Sequence, residues 1–119
     1  MGQPVVHFQI GCKDKSATTE FYTQLFDWQI DSSPAGYITT NPPAGAPPNI
    51  TGTIASLGHE PHQYVMVYVG VDDIPAYIKR AQELGGALLV PEVPIPTGSF
   101  AWIADPGGNI VGLFKAKSE

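Results

Sequence analysis

Basic charge, cysteine and long apolar runs are all scarce in this chain, and each scarcity excludes a class of function. Six lysines and arginines stand against 11 aspartates and glutamates, a formal net charge of −5. No basic stripe offsets that charge beside a phosphate backbone. Nucleic acid is therefore not expected as a partner, nor is an anionic membrane surface. The single cysteine, Cys12, has no second thiol with which to close an internal disulfide, which fits a reducing, cytoplasmic setting. No apolar run approaches the roughly 20 residues that a membrane span needs. The opening MGQPVVHFQI has no basic segment followed by an apolar one, so no secretory signal is expected. A glycine-rich phosphate loop is missing too: Asp105-Pro-Gly-Gly-Asn109 has the composition of a hairpin turn. A length of 119 residues at 43% apolar content suffices for one domain, residues 1–119, with a modest core. A small molecule or a second copy of the chain is the expected partner.

What is present is a weak internal repeat, a feature to be sought before any local assignment. His7-Phe-Gln-Ile-Gly-Cys-Lys-Asp14 sets against Met66-Val-Tyr-Val-Gly-Val-Asp-Asp73, matching Gly11 to Gly70 and Asp14 to Asp73. At the same offset Ala17 meets Ala76 and Leu25 meets Leu84; further on, Asn49-Ile-Thr-Gly52 meets Asn109-Ile-Val-Gly112. Each half reads as strand, helix and three strands, over about residues 4–57 and 64–116. Residues 5–10 and 64–71 are β-rich. Asp14 or Ser16 can cap a helix running to about Trp28, with Ala17, Phe21, Leu25 and Trp28 as its buried stripe. Asp73 caps a second helix, with Pro75 tolerated in its first turn and Ile74, Ile78, Ala81 and Leu84 as its stripe. Later strands are expected near 28–31, 36–40 and 50–57, then near 87–90, 99–104 and 110–114. Residues 42–48 and 91–96 read as loops because proline cannot donate to a ladder. Residues 58–63 join the halves.

Several motifs in this order resemble a known family. His7-Phe-Gln-Ile, a capping Asp14 and Phe21-Tyr-x-x-Leu-Phe-x-Trp28 resemble the opening of vicinal-oxygen-chelate proteins, the glyoxalase, bleomycin-resistance and dioxygenase group. Tyr68-Val-Gly-Val-Asp-Asp-Ile74, Leu84-Gly-Gly86 and Ala104-Asp-Pro-Gly-Gly-Asn-Ile-Val-Gly-Leu113 resemble its second half. The nearest flavour is that of bacterial proteins described as related to lactoylglutathione lyase. The resemblance implies an α+β fold in which two βαβββ modules form a curled mixed sheet around a cavity, and a homodimer. It implies nothing definite about activity, because the fold hosts many.

Enzymes of that family hold a divalent metal through four side chains, from the first and last strand of each module. Carried onto this sequence, those positions are His7, Gly52, Met66 and Gly112. Imidazole is a competent ligand. A thioether suits soft metals, and glycine has nothing to donate. A metal is therefore disfavoured and no cofactor is expected. His59 and His62 lie in a proline-containing link rather than on the helix that a metal-binding pair of this kind requires. By strand alternation Gln9 shares a face with His7, Ile54 with Gly52, Tyr68 with Met66 and Phe114 with Gly112. These residues are expected to line a roomy, mainly apolar cavity. Trp102 is a further lining candidate; with Phe100 it alternates with Ala101, which leaves their inward face open. His7 is the best catalytic candidate, and Cys12 reads as structural. The leading expectation is metal-independent binding of a small molecule. The alternatives are a metal-dependent lyase, isomerase or dioxygenase, and a structural or regulatory dimer module.

Overall fold

A computed structural model describes residues 2–33, 36–40, 44, 50–57 and 61–117. The expected loop at 42–48 falls almost entirely outside the described residues, as do residues 58–60 of the link between halves, His59 among them. The chain divides into two compact units, His7–Val65 and Met1–Val6 with Met66–Glu119. No helix among the described residues is long and apolar enough to cross a membrane.

The first unit contains strand β1 (Val5–Gly11, whose first two residues group with the second unit), helix α1 (Lys15–Phe26), β2 (Gln29–Ile30), β3 (Ile38–Thr39) and β4 (Thr51–Ala55). Asp14 starts the helix, its Oδ1 accepting the Ala17 N–H at 3.0 Å. This satisfies a donor that the first turn would leave orphaned. Asp27 stops it in the left-handed region at φ 60°, its N–H donating to the Thr23 carbonyl, so the helix ends before Trp28. β4 runs parallel to β1, β2 pairs antiparallel with β3, and Tyr37 bridges to Thr53. The core gathers Ile10, Cys12 and Ile54, with Phe8, Tyr22, Trp28, Ile30 and Ile38 packed around them.

The expected stripe of α1 is corrected. Phe21 and Leu25 are 58% and 57% exposed, and Ala17 also faces solvent. Adjacent apolar pairs, Phe21-Tyr22 and Leu25-Phe26, offer two helical tracks, and periodicity alone does not choose between them. Of the track one residue on, Thr18 and Tyr22 turn inward, half-buried, with the Tyr22 ring stacked on Trp28 at 5.2 Å between centroids, while Phe26 stays 54% exposed.

The second unit contains β5 (Tyr64–Gly70, its first two residues grouping with the first unit), α2 (Ile74–Glu83), β6 (Ala87–Ile95), β7 (Gly98–Ala104) and β8 (Ile110–Ala116). Asp73 Oδ1 accepts the Ala76 N–H at 3.0 Å, and Pro75 sits in the first turn, where its missing N–H costs nothing. Ile74 is fully buried with Val71, Ala101 and Leu113, and Val69, Tyr77, Ile78 and Ile103 pack on them. Leu84 is 62% exposed, not part of the stripe, because it is the cap residue beyond the last helical turn. β5 and β8 run parallel, while β8 with β7 and β7 with β6 run antiparallel, giving the order β5-β8-β7-β6. The turn 105–109 closes the β7–β8 hairpin, Asp105 Oδ1 accepting the Gly107 and Asn109 N–H groups at 3.0 and 2.9 Å.

Residues 91–95 are strand, not loop: β6 continues through Pro91 and Pro94 to Ile95. It does so with register shifts between Leu88 and Val93 and as the last strand in the order, two settings in which a ladder tolerates a missing donor. In the first unit the pairings link β1 to β4, β4 to the start of β3 through Tyr37, and β3 to β2, the same succession as in the second. Two βαβββ units of mixed strand direction, with one helix each, make this an α+β fold.

Candidate functional site

Parallel pairing of β1 with β4 sets His7 opposite Thr51 and Gln9 opposite Thr53. Side chains alternate along both strands, so these four share one face. His7 Nδ1 lies 2.6 Å from Thr51 Oγ1, and Nε2 lies 3.2 Å from Thr53 Oγ1. A neutral imidazole satisfies both contacts, donating through one nitrogen and accepting a hydroxyl proton at the other. Partial burial holds the His7 pKa below its ordinary value of 6.5, because desolvation penalises the charged ring. Further along the face, Gln9 Nε2 donates to the Tyr64 hydroxyl at 2.5 Å. Desolvation raises the Tyr64 pKa against the opposing effect of that hydrogen bond. The row is thus polar and uncharged: imidazole, amide, two aliphatic hydroxyls and a phenol.

Gly52 and Ile54 do not join His7. The register places Gly52 opposite Phe8 and Ile54 opposite Ile10, on the other face of the strands, and Ile54 is fully buried in the core with Ile10 and Cys12. The cause is a one-residue slip in the sequence repeat. Thr53 lies opposite Gln9 and Gly112 opposite Tyr68, so a constant separation of 59 residues relates both pairs. The Asn-Ile-x-Gly match runs at 60, and one residue of slip moves a strand's side chains to the opposite face. The counterpart of Gly112 is Thr53, not Gly52.

In the second unit Met66, Tyr68, Gly112, Phe114 and Trp102 do share a face. Trp102, Gly112 and Tyr68 stand in one row across β7, β8 and β5, with Phe100 and Phe114 paired in the next. Met66, Tyr68 and Trp102 are buried, and Trp102 Nε1 donates to Tyr68 Oη at 2.8 Å. Phe100 lies 6.2 Å from the Tyr68 ring. The space above the two glycines is taken. A Cβ at Gly112 would meet the Tyr68 ring at 2.6 Å, and one at Gly52 the Phe8 ring at 2.2 Å. The open room expected over these glycines is filled by aromatic side chains from the neighbouring strand.

The residues around His7 do not fit a divalent metal. Its neighbours on the face are neutral hydroxyls and an amide. Such a set offers one good ligand where such metals take several nitrogen or oxygen donors. Among the described residues no three His, Cys, Asp or Glu side chains cluster for that purpose. Sequence reasoning missed Thr51, Thr53 and Tyr64. The signal for the first two was the Thr-x-Thr alternation at 51–53, readable only once the register is known.

The model of the family described as "Glyoxalase-like domain" matches residues 6–114. The chain belongs to this glyoxalase-like family. It is 30% identical over 116 residues to the Mycobacterium tuberculosis protein named "Putative glyoxylase CFP32", a match covering 87% of this chain and 42% of that one. It is 30% identical over 124 residues to the anthracycline biosynthesis protein DnrV of Streptomyces peucetius, covering 91% of this chain and 45% of that one. The chain thus spans less than half the length of these curated relatives. A glyoxalase/bleomycin resistance protein/dioxygenase superfamily member from Vibrio splendidus superposes with a TM-score of 0.62 at 14% identity, covering 98% of this chain and 100% of that one. That likeness shows the glyoxalase-like fold.

Proposed function

We propose that this glyoxalase-like protein binds a small organic molecule without a metal, His7 serving as a neutral ring that orients the Thr51 and Thr53 hydroxyls rather than as a ligand to an ion. The observation that carries the reading is the pair of threonine hydroxyls on the two nitrogens of the His7 ring. Each unit offers its own contact surface: an uncharged polar row on the first, and half-buried Phe100 and Phe114 on the second. The polar row by itself favours an uncharged ligand bearing an oxygen or nitrogen to be anchored. A homodimer belongs to the same reading, because α1 leaves Phe21, Leu25 and Phe26 more than half exposed, an apolar face that a second copy would cover. Sedimentation velocity over a dilution series checks this part: a dimer mass is expected, and a monomer at every concentration retires it.

The direct test is elemental analysis of untagged protein purified without chelator and then reloaded with manganese, iron, nickel and zinc. No stoichiometric retention is expected. Retention abolished by His7→Ala overturns the reading and points to a metal-dependent lyase, isomerase or dioxygenase. In a metal-free screen of uncharged aromatic compounds, saturable binding is expected to weaken about tenfold in His7→Ala, because the threonine hydroxyls lose the ring that orients them.

A further inference from the structure

The first unit also has a concave surface that His7 does not line. An open groove of about 500 Å³ lies where the end of β1 meets α1 and the start of β5. Its lining includes Ile10 and Cys12, both buried, the half-buried rings of Tyr22 and Tyr64, and the polar side chains of Thr18 and Gln63. Ile10 alternates with Gln9 along β1, so the groove opens beside the core, not on the polar row. Tyr64 stands at both: its hydroxyl accepts from Gln9, and its ring covers Gly11 so closely that a Cβ there would lie 2.0 Å from it.

We propose that this groove is a binding site for a flat, uncharged aryl or phenolic ring. Its volume lies within the usual range of about 300–1,000 Å³ for small-molecule sites. Aromatic Tyr22 and Tyr64 give it surfaces for ring stacking, and Ile10 and Cys12 add apolar area. Thr18 and Gln63 supply neutral hydrogen-bonding groups. The charged residues of the lining, Lys13 and Asp14, are adjacent, opposite in sign and exposed. Asp14 is also committed to capping α1. Nothing in this balance selects an ion, so the recognised chemistry is a planar ring with a hydroxyl or carbonyl substituent. The Tyr22 ring is fixed from behind by Trp28, with which it stacks at 5.2 Å, so the groove presents a preorganised wall.

The site does not depend on the metal-free reading of His7, and the test keeps the two apart. Isotope-labelled protein is titrated with 2-naphthol and followed by backbone amide shifts. Saturable shifts are expected at Lys13, Thr18, Gln63 and Val65, unchanged in His7→Ala. Thr18→Trp fills the groove from the helix, and Val65→Asp places a charge on an exposed lining residue, 75% accessible, with little risk to folding. Each is expected to weaken binding about tenfold or more. Shifts that rise linearly without saturating, that centre on Phe100 and Phe114, or that persist in Thr18→Trp overturn the proposal.

Discussion

His7 stands between two threonine hydroxyls, and its proton is therefore coupled to folding. The folded ring has a pKa below the 6.5 of the free side chain. Between those values the unfolded chain binds more protons than the folded one, so stability is complete above 6.5 and falls as pH drops through that window. The urea midpoint is expected to be lower at about pH 5.5 than at about pH 7.5, with a smaller difference in His7→Asn. An NMR titration that finds His7 half-protonated above 6.5 would contradict this. Gly112 makes a second test at the same scale. It lies between Tyr68 and Trp102, and the missing side chain is what lets those two rings meet across β8. Gly112→Ala is expected to cost about 1–3 kcal/mol through overpacking. In Gly112→Ala with Tyr68→Ala the penalties should be strongly non-additive, because one removes the obstacle to the other. Chemical denaturation of the single and double variants measures this.

Element by element, the sequence declared its helix starts better than its faces or the end of β6. Asp14 and Asp73 announced both helix starts, since a cap acts through one side chain and one nearby N–H and needs no tertiary information. Asp14→Ala and Asp73→Ala are each expected to cost about 0.5–2 kcal/mol in denaturation experiments. The turn at Asp105–Asn109 was legible for the same local reason. Faces depend on what packs opposite. Two apolar tracks on α1 were equally periodic, and the Tyr22–Trp28 stack decided between them. Hence Leu25→Gln should alter the stability of dilute protein by no more than about 0.5 kcal/mol, whereas Ile74→Ala should cost about 2–5 kcal/mol. On β4 the slip between separations of 59 and 60 hid Thr51 and Thr53 and put Gly52 and Ile54 in their place. On β8 no slip intervened, and Met66, Tyr68, Gly112 and Phe114 were grouped from sequence as the strands group them. Trp102 followed once β7 fell into register with β8.

At the level of the whole molecule, the strands β1 and β5 each change unit partway along, between Val6 and His7 and between Val65 and Met66. A chain of 119 residues lies in the size range that usually unfolds in one step, so a single cooperative transition is expected. Each unit holds one tryptophan, Trp28 or Trp102. Fluorescence of Trp28→Phe and Trp102→Phe, each referred to its own far-ultraviolet transition, should coincide with it; separated midpoints would show units that melt independently. The repeat also bears on how such a chain survives at high concentration. β6 ends the strand order of the second unit, and an unprotected outer strand is a template on which other chains can stack into cross-β fibrils. Pro91 and Pro94 present no N–H, and the shifts around them break the even ladder that an incoming strand would need. These two prolines thus act as a guard against self-templated growth, and a chain carrying valine at both positions would keep its fold while losing part of its resistance to aggregation.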